Sequence, residues 1–181
     1  MTKLFLSLHV LAAVLAIGPV AVAASMFPAA LRRATGAAGA GASADSAPDD
    51  RDALANLHLL HRVCRVYAAV GTAVPVLGFF TARSLGVLGS GWLISSIVLT
   101  TAAAAVLALL ILPGQDAALT ALQEPEPEQE QGPAPGLAPG PAPGPAARSA
   151  ARLAMLTGVF NLLWATVTVL MIIRPGSTTG A

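Results

Sequence analysis

Ionisable side chains fall along this chain in clusters, and the intervals between clusters are long and apolar. From Leu4 to Leu31 run 28 residues without Lys, Arg, Asp or Glu, and His9 is the one ionisable side chain among them. Seventeen uncharged residues separate Arg65 from Arg83, 32 separate Arg83 from Asp116, and 21 separate Arg152 from Arg174. A helix needs about 20 apolar residues to cross a hydrocarbon core roughly 30 Å thick. The pattern therefore predicts an all-α transmembrane four-helix bundle. Its spans are 4–31, 53–82 (an interfacial segment running into the second helix), 92–112 and 152–173. Two stretches between them read as disordered loops. One, 32–52, is rich in Ala, Gly and Ser and has no apolar period. The other, 113–148, alternates Glu and Pro from Glu124 to Glu128 and continues as a Pro-Ala-Pro-Gly tract that favours extended backbone. The short connection from Arg83 to Gly91 makes spans two and three an antiparallel hairpin.

Composition sharpens this picture. Of 181 residues 55% are apolar and only 10% are charged, too few to clothe a soluble domain, where roughly 25% is usual. Disorder of the whole chain is excluded by the same apolar excess. With Cys64 as the single cysteine there is no disulfide framework, and a net charge of +1 gives no electrostatic case for nucleic acid. The bilayer is the expected partner, with a membrane-protein partner or a homodimer open.

Charge also predicts orientation, because Lys and Arg are retained on the cytoplasmic side. Lys3, Arg83 and Arg174 mark one side; Arg32, Arg33, Arg51, Arg62, Arg65, Arg148 and Arg152 mark the other. Both termini are expected outside and the two long loops in the cytoplasm. The tripeptide Ala21-Val22-Ala23 looks like a signal-peptidase site. The apolar run continues through Met26, Phe27 and Leu31, however, longer than a cleavable segment.

Helices in lipid meet through small residues and polar side chains. Such stripes are Ser96, Thr100, Ala104 and Ala108 in the third span, and Ala154, Thr157, Gly158, Asn161, Ala165 and Thr168 in the fourth. His9 with Ala12, Ala13 and Ala16, and Gly71, Thr72, Pro75 and Gly78, serve the first two. Ser96, Thr100, Asn161 and Thr168 are the expected polar packing groups. Pro19 and Pro75 are expected to kink their helices. Tyr67 and Trp92 sit where interfacial anchors belong.

His9 is the intramembrane ionisable residue, and a functional candidate on that ground. It is expected either to bond a hydroxyl of Ser96 or Thr168, or to bind a cofactor, haem or copper. A second candidate is His58-x-x-His61-x-x-Cys64, whose helical spacing suits a zinc or copper site. Its alternative is an interfacial helix from Asp52 to Arg65 that dips Leu54, Leu57, Leu60 and Val63 into lipid. There is no phosphate loop, no paired carboxylates and no nucleophile beside a base, so no catalytic residue is expected and the reading leans away from an enzyme.

The opening Leu8-His9-Val10-Leu11-Ala12-Ala13, continuing through Gly18-Pro19 to Leu31-Arg32-Arg33, resembles domain-of-unknown-function family 2269, predicted bacterial integral membrane proteins. The stretch from Arg62 to Phe80 is similar to it as well. The likeness implies a bacterial plasma-membrane protein, and the family has no assigned activity to lend. The Leu-His pair is more distantly similar to copper-resistance membrane proteins and a haem-biosynthetic membrane oxidase family, which implies a ligand role for His9. The chain departs from both: Ala16-Ile17-Gly18-Pro19 stands where they favour a Trp-x-Gly-Gly-like segment, and its later spans lack histidine. The expected function is a non-enzymatic bundle or accessory subunit, with His-dependent metal or haem binding as the alternative.

Overall fold

The computed structural model describes residues 2–36, 50–124 and 144–176, and every regular element among them is helical. These are α1 (Thr2–Ala34), α2 (Asp50–Gly71), α3 (Ala73–Leu85), α4 (Gly91–Ala105), a π-helical stretch (Val106–Ile111), α5 (Leu112–Gln123) and α6 (Pro145–Ile173). They form four long rods: α1, α2–α3, α4 through α5, and α6. Each is long and apolar enough to cross a membrane. The predicted loops fall largely on 37–49 and 125–143, outside the described residues.

Helix breaks follow the chemistry of proline. α1 is continuous through both Pro19 and Pro28. The second rod opens at Thr72, where the backbone N–H and hydroxyl both bond Ala69 O, at 3.2 and 2.7 Å. Pro75 supplies no N–H to the carbonyl four residues earlier, so the ladder is weakest there. The third rod departs most from expectation. Where a loop is expected from residue 113, the helix runs on to Gln123. Pro113 lies in the first turn of α5, where a missing N–H is tolerated, and the π-helical turns just before it re-pair the backbone. Those wider turns also keep Ala103, Leu107, Ile111 and Gln115 buried at intervals of four. The predicted ladder does not hold: Ser96 is buried, but Ala104 and Ala108 face outward.

The rods pack up-down-up-down. α1 lies between the second rod and α6, α6 packs on α4, and α2 closes the ring against α5. The main core gathers Phe27 and Leu31 of α1, Leu57, Leu60 and Cys64 of α2, Ile111 and Leu119 of the third rod, and Leu153 and Phe160 of α6. α6 uses large side chains as much as small ones. Ala154, Gly158, Ala165 and Thr168 are exposed, whereas Leu153, Thr157, Phe160 and Val167 are buried. Outside the core the surface is apolar: Val14, Leu109, Met155, Leu162 and Ile172 are each at least 64% exposed. Water does not tolerate so continuous a surface on a monomer, and acyl chains do.

Candidate functional site

Polar side chains concentrate in two places, one towards each end of the bundle. The first is the α2–α5 seam at the arginine-rich end. His58, His61 and Cys64 recur every three residues on α2, and α5 runs antiparallel against them with Gln115, Asp116 and Gln123. Gln115 is 1% exposed, the most deeply buried polar side chain of that seam. Its Oε1 accepts from His61 Nδ1 at 3.1 Å, and its Nε2 donates to Cys64 Sγ at 3.7 Å. His61 Nε2 lies 3.6 Å from Asp116 Oδ1, and His58 Nε2 is 2.9 Å from Gln123 Nε2. One amide thus ties two α2 side chains to α5, and both ring nitrogens of His61 face α5 oxygens.

The geometry does not bring His58, His61 and Cys64 together around one point. Their spacing is right, but the side chains turn to different α5 partners: His58 is exposed, Cys64 is fully buried, and Gln115 stands between Cys64 and His61. Among the described residues no three His, Cys, Asp or Glu side chains gather closely enough to hold a metal ion. The interfacial-helix alternative is corrected too. Leu57 and Leu60 enter the main core, and Val63 packs against it, so α2 belongs to the bundle. Sequence reasoning missed Gln115, Asp116 and Gln123 because they lie where a loop is expected. The signal available was the apolar spacing of Leu112, Leu119 and Leu122 around them.

The second place is the notch between α1 and α3. His9 Nδ1 lies 2.9 Å from Val74 O, so that nitrogen carries the proton and donates. The partner is a backbone carbonyl, and neither Ser96 nor Thr168 supplies the bond. Both of those hydroxyls bond back within their own helices, to Trp92 O and Trp164 O. Gly78 explains the close approach, since a Cβ there would stand 2.8 Å from His9 Cε1.

With Nδ1 committed, Nε2 is the one ring atom left for a ligand, the orientation that metal-binding histidines adopt. The rest of a donor set is missing, because among the described residues no group of three His, Cys, Asp or Glu side chains gathers anywhere. A single imidazole facing glycine does not fit copper or haem within this chain.

The remaining polar packing groups divide. Asn161 Nδ2 donates to Ser25 Oγ at 3.2 Å, and Thr157 Oγ1 donates to Ala24 O at 3.3 Å, so α1 and α6 are joined twice. Ser96 is buried but bonds only its own helix, Thr100 lines a cavity, and Thr168 is exposed. Trp92, expected as an interfacial anchor, is buried, with the Arg174 guanidinium 5.7 Å from the centre of its ring. Among the described residues no serine or cysteine is hydrogen-bonded to a histidine or carboxylate. No family model, curated protein or solved structure matches this chain.

Proposed function

We propose that the protein is a multi-pass bundle of a bacterial plasma membrane that acts without catalysis, as an accessory or interaction subunit. Both termini lie outside and the α2–α5 seam lies in or near the cytoplasm. The observation that carries the membrane assignment is the inverted surface, with bulky aliphatic side chains outward along all four rods and charges at their ends. Orientation is supported by the arginines of α1, α2 and α6, which crowd one end of the bundle. The non-catalytic role is supported by polar groups committed to holding helices together.

Alkaline carbonate washing tests the first claim: the protein stays with the membrane pellet, and release into the supernatant would overturn it. Orientation is read in intact spheroplasts with an impermeant maleimide, on Cys64→Ala chains carrying one new thiol. Gly89→Cys is modified and Asp52→Cys is protected until lysis; the reverse result inverts the topology. The accessory role requires a second membrane protein. A photocrosslinker at exposed Leu162 is expected to yield a heterologous adduct, whereas lipid and self adducts alone would count against it.

A further inference from the structure

We propose that Arg62 and Arg65 hold the phosphate of an anionic glycerophospholipid, whose acyl chain runs down the same rod into an apolar side cavity beside Thr72. Both arginines lie on α2 and are exposed. Three residues apart on a helix, they are neighbours on one face. Two guanidiniums side by side suit a phosphate, which each can grip through two parallel N–H donors. Among the described residues neither pairs with a carboxylate. Asp116, which faces α2 across the seam, lies 3.6 Å from His61 Nε2 instead.

Depth assigns the phosphate to a lipid. Arg65 stands 18 residues before Arg83, at the other end of the same rod. At 1.5 Å per residue the two are roughly 27 Å apart, close to a hydrocarbon thickness of about 30 Å. With Arg83 at one boundary Arg65 is at the other, and Arg62 is roughly 5 Å further out, in the layer of headgroups. Arg51, 14 residues before Arg65, is roughly 21 Å beyond that boundary and in water. Lipid phosphates are the anions concentrated in the headgroup layer. An ethanolamine head adds an ammonium that the arginine pair repels, so a head of net negative charge is favoured.

The cavity lies where the chain of that lipid must pass. It measures about 170 Å³, with Ala68, Gly71, Thr72 and Pro75 of the second rod facing Ala104 and Leu107 of the third. Those second-rod residues stand three to ten after Arg65, roughly 5 to 15 Å below it, within the depth of a single leaflet. The second and third rods meet at their two ends, α2 on α5 and Ala82 on Trp92 and Leu93. Between those contacts Thr72, Pro75 and Ala104 are exposed, so the cavity opens sideways to lipid.

Headgroup and cavity are joined along one helix face. Arg65, Ala69 and Thr72 follow at i, i+4 and i+7, and the small side chain of exposed Ala69 leaves the path between them open. Thr72 commits its hydroxyl to Ala69 O, so it offers the rim no free donor. Apolar cavities of about 150 Å³ take up a six-carbon ring, and a chain segment of similar size fits here.

The inference rests on the membrane reading, and its test separates the two, because the protein used has already resisted carbonate. Native mass spectrometry of the unaltered chain, released from micelles with equal phosphatidylglycerol and phosphatidylethanolamine, is expected to show one phosphatidylglycerol retained per chain. Arg62→Gln and Arg65→Gln each lower that retention by about fivefold, the effect of one basic residue at a membrane surface. Arg51→Gln, an equal loss of charge out of reach, leaves it unchanged. The chain's path is read in a Trp92→Phe protein of parental circular dichroism, where Trp164, which lines the cavity, is the sole tryptophan. In zwitterionic bilayers, phosphatidylglycerol brominated along its chains quenches it saturably, and brominated phosphatidylcholine does not. Ala104→Phe fills the cavity mouth from an exposed position and removes the saturable component. Equal retention of the two lipids, or an equal effect of Arg51→Gln, would overturn the headgroup site. Saturable quenching that survives Ala104→Phe would overturn the path into the cavity. Displacement of the lipid by millimolar inorganic phosphate would give the arginine pair to a soluble anion and overturn the proposal as well.

Discussion

The two ends of the bundle are held by different means. At the arginine-rich end α1, α2, α5 and α6 converge, with Phe27, Leu57 and Ile111 fully buried among them and the Gln115 amide bridging two rods. At the terminal end α1 pairs with α3 and α4 pairs with α6 around a smaller apolar cluster of Ala82, Trp92 and Leu93, and the polar ties are few: one His9 bond, one arginine over one tryptophan. The difference tracks the solvent expected at each depth. Near a bilayer boundary, burial of apolar area contributes and polar networks can form with water nearby. Within hydrocarbon, helices associate by close fit and single hydrogen bonds. An end built from many contacts should lose stability in proportion to volume removed. An end built from a few should depend on individual atoms.

The largest expected effect comes from the converging end. Phe27→Ala empties a fully buried site in the main core, and is expected to lower the stability of the detergent-solubilised protein by about 3 kcal/mol. Val74→Ala, a smaller truncation at the other end, is expected to lower it by about 1 kcal/mol. If thermal melts give the two equal weight, the contrast between the ends is wrong.

Next comes a close-approach site. Gly78→Val puts a branched side chain where even a Cβ would be 2.8 Å from the His9 ring. The ring must leave Val74 O, and overpacking of this kind costs about 2 kcal/mol. The double change Gly78→Val with His9→Ala restores part of that loss, because the obstructed ring is gone, and a double-mutant cycle measures the recovery. Strictly additive effects would mean that His9 and Gly78 do not share the notch.

A smaller effect is expected at the seam. Gln115→Leu preserves volume but leaves His61 Nδ1 and Cys64 Sγ without their amide, a loss of about 1 to 2 kcal/mol. The same change should quicken thiol-reagent modification of Cys64, now 0% exposed. Unchanged modification would show that packing alone protects the thiol.

How much of this was legible depends on the kind of signal. Gaps between charges locate all four rods, because the exclusion of charge from hydrocarbon acts on each residue separately. Which faces meet is less legible. The i, i+4 ladder from Ser96 already fails at Ala104, because 3.6 residues per turn carry the buried face round to Ala103 and Leu107. Leu112-Pro113-Gly114 reads as a stop, yet the helix passes through it, with Gly114 close against Leu153 Cδ2. Losing α5 to a predicted loop concealed half of the seam, so three histidine-and-cysteine positions looked like a metal site in need of partners. His9 was recognisable from the rarity of ionisable residues in a span. Its partner was not, because a carbonyl oxygen leaves no trace in a sequence.

The smallest effect tests whether the terminal end really turns on single residues. Arg174 ends α6 with φ +48°, the left-handed conformation that a side chain disfavours. It is held there while its Nε donates to Met171 O at 3.3 Å and its guanidinium covers Trp92. Two opposing contributions are therefore stored in one residue: a backbone cost of about 1 kcal/mol and a cation–π contact of similar size. Replacing it with alanine removes the contact and keeps the strain, so Arg174→Ala is expected to be less stable by about 1 kcal/mol. Arg174→Gly removes both and should remain close to the parent, within about 0.5 kcal/mol. In both variants Trp92 loses its cover, so its emission should shift to the red equally while the melting temperatures differ. If alanine and glycine melt together, the left-handed backbone carries no strain, and the terminal end is held more diffusely than its few contacts indicate.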